Sequence, residues 1–250
     1  MSAPITIAGT VVVGVAETLG AWFAGWALNE DVQFTATPCS GVMDMKTARI
    51  LFSTPETVLM DAGIFQVLDR FLGVRPYMLA DYCDAKTPGL QAINDKVYKG
   101  LAYAWLTGQV NHQRGTLEAG KAFSPTQLVL DFEVNREIDQ LARGVDVSDG
   151  ALALELIEQN GPAANHSYLG SEHTARSFRA AQWLPRLFDR TCWESPAAER
   201  TKEAAILRKA EARWRDALVA YRTPALDESK VRAAHEVVRR ACAQLGVAWS

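Results

Sequence analysis

The chain of 250 residues reads as an α/β protein on three observations. Four short β-branched or apolar runs, Ile5–Gly9, Val32–Thr37, Pro76–Asp81 and Gln109–Arg114, are each followed by a longer stretch with helical spacing of its apolar residues. The helix starts carry clear local signals. From Ser148 onward no strand pattern occurs and the chain reads as helices alone. Strand–helix alternation implies parallel pairing, since a crossover helix returns the chain to the same end of a sheet.

In the first unit Ile5–Gly9 leads into a helix over Val11–Leu28, where Leu19, Phe23 and Trp26 recur at helical spacing. The surrounding stretch "APITIAGTVVVGVAETLGAWFAGWAL" holds one charge, Glu17, in 26 residues. No basic region precedes it, Glu17 is costly at mid-bilayer, and Pro4, Gly9 and Gly14 punctuate it as strand and turn. The expectation is a buried segment of a soluble protein, neither signal peptide nor membrane span. The second helix, Thr54–Leu72, opens on the capping box "STPE", and the fourth, Pro125–Arg143, on "SPTQ". The third, Pro88–Trp105, has Thr87 as N-cap with proline at its first position. Beyond these come Ser148–Gln159, a break at "NGPAANHSYLG", then Glu172–Phe188, Ala197–Tyr221 and Asp227–Leu245. In "ERTKEAAILRKAEARWRDAL" the charges alternate while Ile206, Ala210, Arg213 and Trp214 fall near one stripe, as in a helix laid on a domain surface. Residues 1–147 therefore form the α/β part and 148–250 a helical region packed on it.

Composition narrows the function. The balance of 26 basic against 29 acidic residues leaves a formal net charge of −3 and no long run of like charge, so nucleic acid is not an expected partner. Cys39, Cys83, Cys192 and Cys242 lie far apart, with no C-x-x-C pair and no histidine at metal-ligand spacing. Neither a metal site nor a disulfide framework is expected, and a reducing cytoplasm fits. Gly9 and Gly14 stand too far apart for G-x-G-x-x-G, which weakens a nucleotide-binding reading. Four strand–helix units suit a small open sheet or part of a barrel; a closed β/α barrel needs eight.

Five segments carry a resemblance: "PITIAGTVVVGVAETLGAWFAG", "STPETVLMDAGIFQVLDRFLGVRPY", "CDAKTPGLQA", "SPTQLVLDFEVNREIDQLARGV" and "HSYLGSEHTARSFRAAQWLPRLFDR". Together they resemble the C-terminal half of the trimethylamine methyltransferase family, including its non-pyrrolysine members such as glycine betaine:corrinoid methyltransferase. The resemblance implies about four βα units of a TIM-type (β/α) barrel followed by a helical region. The implied activity moves a methyl group from a methylated amine, a quaternary ammonium such as glycine betaine or trimethylamine, to the cobalt of a corrinoid protein. It also implies that the corrinoid (cobalamin) arrives on that partner, the chain itself binding no cofactor. Four strands of eight would leave two open edges, to be covered by a second copy, by a separate front-half subunit or by the chain's own C-terminal helices.

In a β/α barrel catalytic groups collect on the loops after the strands. Asp81 ends the third expected strand and "YCDAKT", Tyr82–Thr87, follows it. The resemblance places pyrrolysine of the trimethylamine enzymes at or close to Lys86; an ordinary lysine there favours the glycine-betaine-like branch. Asp84, Lys86 and His112 are the catalytic candidates, with an Asp84–Lys86 ion pair tying down a loop as the structural alternative. Asp81, Tyr82, Thr37 and Gln113 are candidates to surround a cationic N-methyl head, which needs carboxylates or aromatic faces. Gln91, His166 and His173 are candidates for contact with the corrinoid. A core role for His112, a loop-holding role for Gln91 and capping or packing roles for the other two histidines are the alternatives. Asp131 and Glu133, at i, i+2 on a helix, point to different sides and are poor joint metal ligands. A binding or scaffold protein that kept the fold without the chemistry is the competing function.

Overall fold

The computed structural model describes residues 2–161 and 167–248. Helix α1 spans Ile7–Leu28. Thr6 is its N-cap, with Oγ1 accepting the Gly9 N–H at 3.3 Å. The run expected as the first strand therefore supplies the cap and first turn of a helix. A threonine cap satisfies an N–H that a strand without a neighbour would leave open. The expected burial of this segment is also corrected: no residue of α1 is buried, and Val12, Phe23 and Leu28 are among its exposed side chains. One neighbour covers only one stripe of a helix that is apolar all round, and that neighbour is chiefly α2, Pro55–Leu72. The approach is close: a Cβ at Gly14 would lie 2.6 Å from Ile64 Cδ1. By length and composition α1 is the one helix among the described residues able to cross a membrane.

Side-chain caps form at both expected starts: Thr54 accepts the Thr57 N–H at the start of α2, and Ser124 that of Gln127 at the start of α4, Pro125–Ala142. The reciprocal half of the expected boxes does not form. The α2 cap is Thr54 rather than Ser53, whose N–H goes to Asp84, and the Ser124 N–H goes to Gly115 O while Gln127 Nε2 turns to Asp131. Helix α3, Leu90–Thr107, begins after Gly89 rather than at Pro88, because Gly89 takes φ +142°, outside the helical region. These helices pack in chain order, α1 on α2, α2 on α3, α3 on α4.

The segments between them are extended but form no ladder among the described residues; the sheets present are two antiparallel hairpins, β1 (Val42–Met43) with β2 (Ile50–Leu51) and β3 (Thr116–Leu117) with β4 (Ala122–Phe123). Segment 76–81 meets segment 32–37 through the Tyr77 N–H to Ala36 O bond at 2.9 Å. Elsewhere side chains take the ladder's place: Gln109 Oε1 accepts the Met78 N–H, Asn135 Oδ1 that of Gln113 and Asp81 Oδ1 that of Arg114. Backbone groups satisfied in this way need no strand partner. Gly115, at φ +83°, leads into the β3–β4 hairpin, and a Cβ there would meet Phe123 Cε2 at 2.8 Å and Ser124 O at 3.0 Å. Gly115→Ala is expected to cost about 1–3 kcal/mol, read as a lower urea midpoint at unchanged m-value.

Further along come α5 (Asp149–Leu152), α6 (Leu154–Asn160), α7 (Glu172–Ala181), α8 (Pro196–Ala220) and α9 (Glu228–Leu245). Ala153 at φ +50° divides the expected Ser148–Gln159 helix in two. Helix α7 stops short of Phe188, as Pro185 removes a donor and disfavours helix at Leu184. The expected stripe on α8 is real: Ala210, Ile206 and Trp214 pack with Val129, Leu130, Leu187 and Ile93. The chain divides into compact units Met1–Trp214 and Arg215–Ser250, a boundary that falls inside α8.

Candidate functional site

Helix α3 sets Ala92, Lys96, Lys99 and Tyr103 on one stripe, at i, i+4, i+7 and i+11, and all four are buried. Two lysines thus occupy core positions, and each organises the loops around the end of the 76–81 segment. Lys96 Nζ donates to Asp81 Oδ1 and to Asp131 Oδ2, both at 2.8 Å. Asp81 also accepts from the Arg114 N–H at 2.7 Å and from the Thr116 hydroxyl. Asp131 accepts from the Gly115 N–H at 2.6 Å and from Gln127 Nε2 at 2.7 Å. One ammonium therefore ties together the end of segment 76–81, the 113–116 backbone and α4. Burial pushes the Asp131 carboxyl above the usual range despite Lys96. For Asp81 burial also acts upward, but the Lys96 charge and the bonds from Lys96, Thr116 and the Arg114 N–H together hold it below.

Lys99 Nζ donates to Phe52 O at 2.9 Å and Tyr82 O at 3.2 Å, with its ammonium 5.7 Å from the Tyr103 ring centroid. Burial lowers its pKa, opposed by nearby groups led by Asp61. Asp61, raised by burial, accepts from Tyr103 Oη and from the Ser40 N–H, each at 2.7 Å. Asp84 accepts the Phe52 N–H at 2.9 Å and the Ser53 N–H at 2.8 Å, while its own N–H donates to Asp95 Oδ2 at 3.2 Å. Tyr98 Oη donates to Ser53 O, and burial first, then Asp95, push its pKa up to about 12. The loop before α2 and the loop after segment 76–81 are held as one piece.

The sequence candidates fall into separate groups. Asp81 and Gln113 are buried framework: Asp81 is in the Lys96 triad, and Gln113 exchanges bonds with Asn135. Asp84 and Tyr82 belong to the loop clamp, Tyr82 meeting Phe52 edge-on at 5.7 Å between ring centroids. Lys86 is exposed and donates to the Asp84 carbonyl, so the expected ion pair gives way to a carboxylate that faces residues 52 and 53. His112 is exposed, with Nε2 2.9 Å from Asp139 Oδ1. Gln91 is exposed on the first turn of α3, His173 is half-buried on α7, and His166 lies outside the described residues. Asp131 and Glu133 do part ways: Glu133 accepts from the Arg186 and Leu187 N–H groups.

Thr37 lines a cleft of about 600 Å³ bounded by residues 2–5, the first half of α1, the 36–45 loop and α2. Its walls include Met43, Met45, Met60, Ile50 and Ile64, and Glu17 lines it from α1. The reading from sequence missed Lys96, Lys99 and Asp61. The available signal was a charged residue on an otherwise apolar helical stripe, as with Asp61 between Val58 and Phe65.

Comparison with known proteins gives the family. The family model described as trimethylamine methyltransferase (MTTB) matches residues 1–246. Trimethylamine methyltransferase MttB of Desulfitobacterium hafniense is 28% identical over 199 residues, which is 80% of this chain and 39% of that protein. Glycine betaine methyltransferase of the same species is 28% identical over 226 residues, covering 90% and 46%. Trimethylamine methyltransferase MttB2 of Methanosarcina mazei is 26% identical over 240 residues, covering 96% and 47%. The chain thus spans less than half the length of these relatives. With nearly its whole length matched, it belongs to the trimethylamine methyltransferase family.

Proposed function

We propose that this chain supplies part of a methyltransferase that moves a methyl group from a methylated amine to a corrinoid protein. The observation that carries the reading is the family match over residues 1–246, which takes in both lysine-centred clamps. Relatives named for trimethylamine and for glycine betaine give the donor class. Helices packed in chain order, α1 to α4, with extended segments leading into α2, α3 and α4, support consecutive βα units of a barrel. A further half-barrel, from a second copy or a separate chain, would then complete it.

The chemistry asks for position more than for protons. The methyl carbon leaves nitrogen with the C–N electron pair remaining on the amine, so a quaternary donor needs no acid. A cobalt(I) corrinoid on the partner protein, a substrate here, supplies the electron pair for the new bond. What falls to this chain is to hold the cation and fix the surrounding loops. Lys96 and Lys99 act as positioning residues, since they bond loop groups from within the core. Exposed Lys86 and Gln91 offer a polar rim suited to the amide-bearing edge of a corrinoid.

Mixing the protein with a reduced corrinoid protein and methylated amines is expected to bleach the cobalt(I) absorption only when amine and protein are both present. The mixture is to be run with and without a separately supplied front half. No spectral change in either, across trimethylamine, glycine betaine and choline, would overturn the proposal in favour of a non-catalytic binding protein.

A further inference from the structure

Helix α1 distributes its side chains unevenly although nearly all are apolar. Its inner stripe packs on α2, where a Cβ at Gly14 would reach Ile64 and one at Gly63 would lie 2.8 Å from Val11 Cγ2. Trp22 ties down the same side, its Nε1 donating to Thr35 O at 2.8 Å and its ring centroid 5.3 Å from that of Phe34. Ile7, Val11, Val13, Val15 and Trp22 are accordingly half-buried. Short of Leu28 at the helix end, the large side chains left exposed are Val12, Leu19, Phe23 and Trp26. With Gly9 and Ala16 they succeed one another at alternating steps of three and four, the spacing of a coiled-coil seam. A bilayer asks only that a helix be apolar, whereas an adjoining helix asks for this period. A span would also have to give up α2 and the Trp22 bond and place Glu17 at mid-membrane, which is costly.

The seam is complementary to itself. Turned end for end about a point between Glu17 and Thr18, it sets Gly9 against Trp26 of a second copy, Ala16 against Leu19 and Val12 against Phe23, and each contact recurs by symmetry. Large side chains then meet small ones, as close packing requires. A parallel pair would instead stack Trp26 on Trp26 and leave Gly9 facing Gly9. Charge points the same way, because Glu17, the one ionisable group of α1, lies off the seam and the flanking positions are uncharged. No charge there selects a different partner or repels a like one. The chain's other exposed long helices, α8 and α9, carry charges along their length and do not match an uncharged strip. We infer that α1 pairs antiparallel with α1 of a second copy, with Phe23 and Trp26 as its aromatic anchors. The pair joins two copies through their helix layers, so it is separate from any closing of a barrel and does not depend on the proposed function.

Sedimentation of the full chain at micromolar concentration should give a dimer. Leu19→Lys puts an ammonium, and Ala16→Glu a carboxylate, into an otherwise apolar seam, so each variant alone should dimerise at least about tenfold more weakly. Mixed in equal amounts, the two should recover a dimer, because antiparallel pairing sets the carboxylate of one chain opposite the ammonium of the other and leaves the second Ala16–Leu19 contact intact. A parallel pair offers no such match. Phe71→Lys, which removes an exposed apolar side chain near the end of α2, should leave the association unaltered. All three positions are exposed, so the variants are expected to fold, and their melting temperatures verify this. A wild-type monomer, whether or not phosphatidylcholine vesicles take it up, would overturn the inference. So would a dimer indifferent to Leu19→Lys, one equally weakened by Phe71→Lys, or a mixture that associates no better than the single variants.

Discussion

Lys96→Met is expected to lower the unfolding free energy by about 3–5 kcal/mol, the typical cost of removing one partner from a buried ion cluster. The lysine is fully buried between two carboxylates, and Asp131 is fully buried as well. Removing the ammonium leaves two like charges sharing a site that retains the Arg114 and Gly115 N–H donors. The pH dependence should change with it. In the native protein Asp81 sits below its unfolded value, contributing stability that is present above about pH 4 and lost as pH falls through its folded value. Asp131 sits above its own unfolded value, so it opposes folding at neutral pH and is relieved on acidification. The two partly cancel. Without Lys96 both carboxyls bind protons more readily folded than unfolded, so the variant should be more stable at pH 5 than at pH 8. Urea midpoints at the two pH values provide the check; a variant as stable as the parent, or one that gains stability toward pH 8, would contradict the account.

That lysine also marks where the sequence was legible and where it was not. The helices were readable because their signals are local: a threonine or serine cap, an early proline and apolar spacing suffice for α2 and α4. The strands were not, because an extended run becomes a ladder only through partners distant in the chain. Here Gln109, Asn135 and Asp81 take up backbone groups that a neighbouring strand would otherwise engage. Thr6 shows the same limit in miniature, since "PITIAG" has strand composition and a helix cap at once. At the site, the motif Asp84–Lys86 was visible as a concentration of charge, but its partners at Phe52 and Ser53 lie more than thirty positions away. Thr37 lines the cleft from an extended segment that joins no ladder among the described residues, whereas Glu17 was weighed only as an obstacle to a membrane span.

Asp84→Ala and Lys86→Ala are expected to separate framework from chemistry within this motif. Asp84 is buried and its carboxylate receives two backbone N–H groups, those of half-buried Phe52 and buried Ser53. Truncation should cost about 2–4 kcal/mol, from charge-assisted bonds lost and donors left unsatisfied. The loops before α2 and after segment 76–81 would then be joined by Lys99, Tyr98 and the Ser53 hydroxyl. Thermal stability and methyl transfer should therefore fall together, and Asp84→Asn, which keeps an acceptor in place, should recover part of both. Lys86 is exposed and bonds a carbonyl, so its loss should leave the melting temperature unchanged. If it meets the corrinoid partner across the rim, Lys86→Ala should raise the apparent KM for the corrinoid protein while leaving that for the amine unaltered. Charge at a rim steers encounter, so the effect should also diminish as ionic strength rises. A melting temperature unmoved by Asp84→Ala would show that the clamp does not hold the loops, and a KM for the corrinoid protein unmoved by Lys86→Ala would remove Lys86 from the partner surface.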